Sequence, residues 1–306
     1  MDTKQIEYIL KIAEENNITK AAEKLFITQS ALNQQLLKLE KELGTPLFHR
    51  SRTNWRLTEA GEIYIEGAKA ALQIKNTTYN RIYDVVSARK GHLTIGLTPG
   101  RGLRMFTAIY PELHRSFPNL NVRPIEMRVR AQQDAIAKGD IDVGLMTLTQ
   151  KDQTSDTYYP LKQEELVLII PSGHPLSEKA APSGEPLVTM DLSELRYEPF
   201  VLMDKTSTLR SSCDLLFEKA GFAPNILFET NNTSGIAAMV QSTLCCGIIP
   251  RYYTLGLTEG VACFSLPERP SWEIVISCQK NGYLNSGARE FIRLAREYWE
   301  NSVPLF

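Results

Sequence analysis

The sequence predicts an α/β protein with an all-helical front and a two-lobed α/β remainder. Three observations point there. Up to residue 89 the only proline is Pro46, and apolar residues recur at helical spacing. From Gly91 onward, short β-rich runs alternate with helical segments, the pattern of strands joined by helical crossovers. The length, 306 residues, suits about two domains of ordinary size.

Composition narrows the function classes. Hydrophobic residues make up 43% and charged residues 23%, which is ordinary for a globular chain and not for a disordered one. Lys plus Arg is 34 and Asp plus Glu is 35, a net charge of −1. A uniformly basic nucleic-acid binder is thereby excluded, whereas a local basic patch is not. No apolar run approaches the ~20 residues of a membrane span, and MDTKQIEYIL does not resemble a signal peptide. A cytoplasmic protein with no membrane partner is expected. The five cysteines, Cys213, Cys245, Cys246, Cys263 and Cys278, are odd in number and lack C-x-x-C spacing, so free buried thiols are expected. A thiol redox sensor is the alternative that they leave open.

Along the front, Ile6, Ile9, Leu10 and Ala13 form one face of a first helix that ends at Asn16-Asn17. Thr19 is read as the N-cap of a second helix, with Ala22, Leu25 and Phe26 inward. Thr28 caps a third, whose apolar side is Ala31, Leu32, Leu36, Leu39 and Leu43. Gly44 and Pro46 stop it. Two such helices joined by a short turn make a helix-turn-helix.

The outward face of the third helix carries Gln29, Ser30, Asn33, Gln34 and Lys38. Amides at that spacing can offer paired donors and acceptors to base edges in a major groove. No acid occurs from Lys24 through Leu39, so nothing there repels phosphate. Taken alone, the same face could simply be solvated. The next segment, Pro46 to Leu57, reads as two short strands around a polar turn, with Arg50, Arg52 and Arg56 and no acid. A basic hairpin beside a helix-turn-helix is a wing placed to meet phosphates or a minor groove. The predicted contacts with double-stranded DNA are Thr28, Gln29, Ser30, Asn33, Gln34, Lys38, Arg50, Arg52 and Arg56.

Thr58 then caps a long helix with Glu59 and Glu62 in its first turn. Ile65, Ala68, Leu72, Tyr79, Ile82 and Val86 form a seam that needs a covering surface, most simply its copy in a second subunit, with packing on its own chain as the plainer alternative. The predicted divisions are 1–58 for DNA binding, 59–90 for a linker and dimerisation helix, and 91–306 for a two-lobed part. The first lobe spans about 91–162 and 268–306, the second about 163–267.

These residues resemble the LysR-type transcriptional regulators. The resemblance runs through ITKAAEKLFITQSALNQQLLKLEKELGTPLF (18–48) and RLTEAGEIY (56–64), and more loosely over the remainder. It implies a winged helix-turn-helix, a dimerising linker helix and an effector domain like periplasmic binding proteins. It also implies self-association as a dimer or tetramer and control by a small molecule.

In the remainder, Leu93–Leu97, Asn121–Met127 and Ile141–Met146 read as strands with helices between them. A second series starts at Leu166–Ile170, and the chain returns through Glu273–Cys278 and a last helix, Ala288–Trp299. Chain crossings between lobes are expected near Leu161–Leu166 and Leu266–Trp272. Ligands in open α/β sheets sit at strand carboxyl ends against helix N-termini. That rule selects Thr98, Gly100, Arg101, Arg128, Thr147, Thr206, Ser207 and Asn232 as effector contacts, with Arg128 and its neighbour Arg130 placed behind the others. Hydroxyls, helix ends and arginines together suit an anion, most simply a carboxylate. Each also has a plainer reading: Thr206 and Asn232 as helix caps, Arg101 as a surface cation.

No catalytic, metal or cofactor site is predicted. His49, His92, His114 and His174 are not in H-E-x-x-H, and neither G-x-S-x-G nor G-x-x-x-x-G-K occurs. An enzyme and a solute receptor for transport remain the readings from other classes.

Overall fold

The computed structural model describes residues 2–51, 55–86, 89–182, 184–242, 244–255, 257 and 259–301. They form two compact units, Met1–Gly91 with Lys138–Asp140, and His92–Ala137 with Ile141 onward. Among the described residues, no helix is long and apolar enough to cross a membrane.

The first unit begins with α1 (Thr3–Glu15), α2 (Ile18–Lys24) and α3 (Gln29–Leu43). Ile6, Ile9, Ile12, Ile18, Ala21, Ala22, Leu32, Leu36 and Leu39 close a single core between them. The caps explain the boundaries. Thr28 Oγ1 accepts from Ala31 N at 3.2 Å, as its position before an apolar run predicts. The cap of α2 is Asn17 rather than Thr19. Its Oδ1 accepts from Thr19 N at 2.9 Å and Lys20 N at 3.1 Å, and Ile18 already belongs to the helix.

Phe26 also departs from expectation. It is 95% exposed, with a φ of 55°. The helix stops at Lys24, so the periodicity that would point Phe26 inward no longer applies, and the left-handed turn swings its ring to solvent. Leu43, in the last turn of α3, is 45% exposed and Ala31 in its first turn is exposed as well, so the buried side of the helix narrows to Leu32, Leu36 and Leu39.

The wing is an antiparallel pair, β1 (Phe48–His49) and β2 (Arg56–Leu57), with Phe48 opposite Leu57. Thr58 caps α4 (Glu59–Val85), accepting from Gly61 N at 3.0 Å. The first part of α4 joins the core through Tyr64 and Ala68. Further along, Ile74, Tyr79, Ile82, Val85 and Val86 are exposed in this chain.

From His92 the second unit takes in most of β3 (Lys90–Leu97), then α5 (Arg101–Ser116), β4 (Asn119–Glu126), α6 (Val129–Lys138) up to Ala137, and β5 (Val143–Leu148). Next comes β6 (Thr157–Pro171), followed by β7 (Pro199–Met203), α7 (Thr208–Lys219), β8 (Asn225–Thr230), α8 (Thr233–Gln241), β9 (Gly247–Pro250) and β10 (Val261–Ser265). The last elements among the described residues are β11 (Ser271–Cys278) and α9 (Ser286–Asn301). The β3–β5 and β7–β8 pairs are parallel, as the alternating pattern predicts. The complete sheet is mixed, because β11 runs antiparallel to both β5 and β6, and β9 and β10 run antiparallel to β6.

The fifteen-residue strand β6 holds the two lobes together. Its first part pairs with β11 as far as Glu165 opposite Ser271, and from Leu166 it pairs with β9. Its partner therefore changes inside the interval predicted for a crossing. The second crossing lies between β10 and β11. One lobe packs Leu93, Ile95, Leu97, Phe106, Phe291 and Trp299. The other packs Leu168, Ile170, Phe200, Leu202, Phe217 and Phe264.

Candidate effector cleft and nucleic-acid interface

Between the lobes of the second unit lies a cavity of about 370 Å³. Thr98, Gly100, Arg101, Arg128, Thr147, Thr206, Ser207 and Asn232 all line it, so the positions chosen from strand ends meet in one place. The fold brings them together because β3, β4, β5, β7 and β8 all end toward it. Helices α5, α6, α7 and α8 begin there, and Arg101, Val129, Thr208 and Thr233, their first residues, are in its wall. None of the four carries an acid in its first turn. Their partial positive ends are thus left uncompensated by their own sequences.

The hydroxyls differ in what they already do. Thr98 Oγ1 is buried with no hydrogen-bond partner. Gly102 makes room for it, since a Cβ there would stand 2.9 Å from that oxygen. Gly100, the N-cap of α5, has a φ of +73°, a conformation that glycine adopts without strain. Thr208 Oγ1 donates to Thr147 O at 3.1 Å, a bond across the lobes. Asn232 caps α8, accepting from Ser234 N at 3.0 Å, and Ser207 caps α7, accepting from Leu209 N at 3.2 Å. Both line the cavity, so Asn232 is cap and wall at once, whereas the cap expected at Thr206 falls one residue later, on Ser207, where α7 begins.

Arg101 is neither a surface cation nor a free guanidinium offered to a ligand. Its side chain is 4% exposed and ion-paired with Glu164, which is fully buried. Glu164 also accepts from Trp272 Nε1 at 2.7 Å and from Tyr252 N at 3.1 Å. The rings of Tyr252, Tyr253, Trp272 and Trp299 surround the guanidinium. Burial works against the charge of Arg101, but Glu164 outweighs it and the Arg101 pKa is raised. The charge is committed to a buried pair where β6 crosses between the lobes.

Arg128 is also paired, although on the surface side. Its Nη1 lies 2.7 Å from Asp204 Oδ1 and also donates to the Thr206 hydroxyl. Among the cavity residues, sequence reasoning missed Met203, Leu209, Pro250, Tyr253 and Trp272. They carry no polar motif, and only the return of the chain brings Trp272 and Tyr253 to the first lobe. Glu164 had a faint signal, as a charge at the head of the apolar run Leu166–Ile170.

In the first unit, Thr28, Gln29, Ser30, Gln34 and Lys38 are exposed and Asn33 is half-buried on the face of α3 opposite Leu32, Leu36 and Leu39. Gln29, Gln34 and Lys38 are open to solvent, as a reading face must be, whereas the Thr28 hydroxyl also caps α3 and lies 3.1 Å from Ser30 Oγ. The wing is more particular. Arg56 is exposed on β2. Arg50 instead pairs with Glu40, which is 8% exposed, and its guanidinium lies 5.6 Å from the Trp55 ring. Glu40 also accepts from Leu47 N at 2.8 Å. Arg50 thus helps to pin the wing to the end of α3, and part of its charge is spent there. Arg52 lies outside the described residues.

Comparison with known proteins bears on both units. Residues 3–62 match the family described as "Bacterial regulatory helix-turn-helix protein, lysR family", and residues 87–300 match "LysR substrate binding domain". The chain belongs to the LysR family. It is a transcriptional regulator with an effector-binding domain, not an enzyme. The "Uncharacterized HTH-type transcriptional regulator YcgK" of Bacillus subtilis (strain 168) is 30% identical over 97% of this chain and 94% of its own length. Among solved structures, a full-length cysteine-to-aspartate variant of OxyR from Pseudomonas aeruginosa superposes with a TM-score of 0.68 at 22% identity, covering 98% of this chain and 95% of that one. Full-length CbnR complexed with its target DNA gives a TM-score of 0.66 at 20% identity, covering 97% and 100%. At those identities the likeness is one of fold.

The thiols of this LysR-family regulator are poorly placed for redox sensing. Cys213, Cys245, Cys246 and Cys278 are buried and Cys263 is half-buried. Burial pushes Cys213 and Cys246 up to about 12 and Cys263 to about 11. A thiol must ionise to react with peroxide, and these surroundings oppose that.

Proposed function

We propose that this regulator reads operator DNA with the polar face of α3, supported by Arg56 on the wing, and that a small anion held between the lobes adjusts that grip. One observation carries the effector's class: four helix N-termini without first-turn acids meet at a cavity of about 370 Å³. A volume of that order suits a small metabolite, and backbone N–H groups at helix starts suit its negative charge. The buried Thr98 hydroxyl supplies a donor with no other use in the chain. Apolar Met203, Leu209, Pro250 and Trp272 would cover the rest of the ligand.

Self-association belongs to the same reading. The exposed Ile74, Ile82 and Val85 on α4 are most simply covered by the same helix of a second copy, giving a dimer or a tetramer. A cytoplasmic location follows from the need to reach DNA.

A gel-shift titration with the DNA upstream of the protein's own gene tests the DNA reading. Sequence-selective, salt-sensitive binding is expected, and its absence there and on fragments of the whole genome overturns the reading. A thermal-shift screen of small carboxylates tests the effector class, because a ligand that binds only the folded state raises its melting temperature.

A further inference from the structure

The proposed anion site has a peculiarity. Of the two arginines in its wall, Arg101 is locked to a fully buried glutamate, whereas Arg128 is 43% exposed along its side chain and paired with Asp204. Asp204 Oδ1 accepts from Arg128 Nη1 at 2.7 Å, from Thr206 N at 3.0 Å and from Thr206 Oγ1 at 2.5 Å. Arg128 and Thr206 line the cavity, and Asp204 does not. The tie joins the loop before α6 in the first lobe to the loop before α7 in the second.

We propose that Asp204 is an internal competitor of the effector: its carboxylate holds the Arg128 and Thr206 donors that an incoming anion needs, so that binding exchanges one carboxylate for another and parts a tie between the lobes. The inference rests on the anion reading above and adds the residue that sets its selectivity.

Three features support exchange over a permanent strut. First, the clasp is half-made. Asp204 Oδ2 is buried and accepts no hydrogen bond, so this carboxylate uses one oxygen where a well-seated one uses both. Second, the donor set is that of an oxyanion site: a guanidinium, a backbone N–H and a hydroxyl converging on one oxygen, next to the start of α7. Third, Arg128 is the one cavity-lining guanidinium among the described residues that is not enclosed, so it alone can change partners without stranding a buried charge. The Arg128 hydrogen bond and those from Thr206 hold the Asp204 carboxyl at about 2, so the internal competitor stays charged at every pH the cell reaches.

An effector carboxylate that takes Arg128 and Thr206 also releases Asp204, whose side chain is 25% exposed, from the tie. The lobes are then linked through the ligand instead of through the side-chain pair. An uncharged ligand of the same shape cannot make that exchange and gains nothing from the removal of Asp204.

The full-length protein is titrated calorimetrically with sodium acetate, sodium benzoate and inorganic phosphate, and with benzamide as the uncharged match of benzoate. Wild type, Asp204→Asn, Arg128→Ala and the double variant are compared, with Asp204→Ser as a second version and circular dichroism as the check of fold. The expected result is that Asp204→Asn binds at least one of the anions about tenfold more tightly than wild type, the scale of one charge-assisted hydrogen bond. Benzamide is unaffected, and the gain disappears in the double variant. Equal or weaker anion binding by both Asp204 variants overturns the proposal, as does a gain that survives loss of Arg128. If wild type and variants bind an anion equally, the anion cleft stands and the role of Asp204 falls. If no variant binds any of the anions, both fall.

Discussion

Glu164 neutralises Arg101 at the point where the chain passes between the lobes, and the two are sixty-three residues apart in sequence. The glutamate also holds Trp272 of the returning strand and the backbone of Tyr252. One carboxylate therefore ties the start of α5, β11 and the turn after β9. A buried pair of this kind adds little stability over a well-packed apolar pair, but it is costly to break on one side.

Glu164→Ala strands the Arg101 charge and should destabilise the protein by about 3–5 kcal/mol. The double variant Glu164→Leu with Arg101→Met should lose much less. Urea unfolding of the three proteins checks the ordering, and a double variant no more stable than Glu164→Ala contradicts it.

Thr98→Val separates a binding hydroxyl from a structural one. The Thr98 hydroxyl is buried without a partner, so replacing it with a methyl of the same shape should leave the ligand-free protein as stable or more so. Anion binding in the cleft should weaken by about tenfold, the loss of one hydrogen bond to a charged group. Thr206→Val should likewise blunt the effector response while operator affinity is kept. Reduced stability with unchanged ligand binding would assign Thr98 to the scaffold.

On DNA, the two kinds of contact should fail differently. Gln34→Ala should relax preference at particular base pairs, at a cost of about 1–3 kcal/mol on the best operator. Arg56→Ala should weaken binding to all sequences alike and lower the salt dependence by about one counterion. Gel shifts over a salt series, on the operator and on a scrambled duplex, distinguish them. Arg50→Ala should instead lower stability as well as affinity, because it releases buried Glu40.

The Asp204 carboxyl is depressed from 3.8 to about 2 by its bonds from Arg128 and Thr206. Its folded value lies below the unfolded one, so its contribution to stability is present above about pH 4 and lost as pH falls toward 2. The stability difference between wild type and Asp204→Asn should shrink through that window in acid titrations followed by circular dichroism.

Hydrogen peroxide should leave the cysteines of the folded protein unmodified at doses that oxidise the urea-unfolded chain, as read by intact mass. The burial that raises Cys213 and Cys246 to about 12 is the reason. Rapid sulfenic acid formation in the folded state would restore the redox reading.

Local rules made much of this protein legible in its sequence. The cap at Thr28, the Leu32–Leu36–Leu39 stripe and the polar residues opposite it follow from helical spacing. The eight cleft residues follow from the rule that ligands meet strand ends and helix starts. The same rules erred on Phe26, whose inward position depends on a helix that stops two residues earlier, and on Thr19, because Asn17 starts and caps the helix two residues sooner. What only the tertiary structure decided is how each charge is used. Arg50, Arg101 and Arg128 look alike in sequence, yet their partners Glu40, Glu164 and Asp204 lie ten, sixty-three and seventy-six residues away. Coulomb attraction depends on distance in space and on exclusion of water, and neither is written in the spacing of residues along a chain.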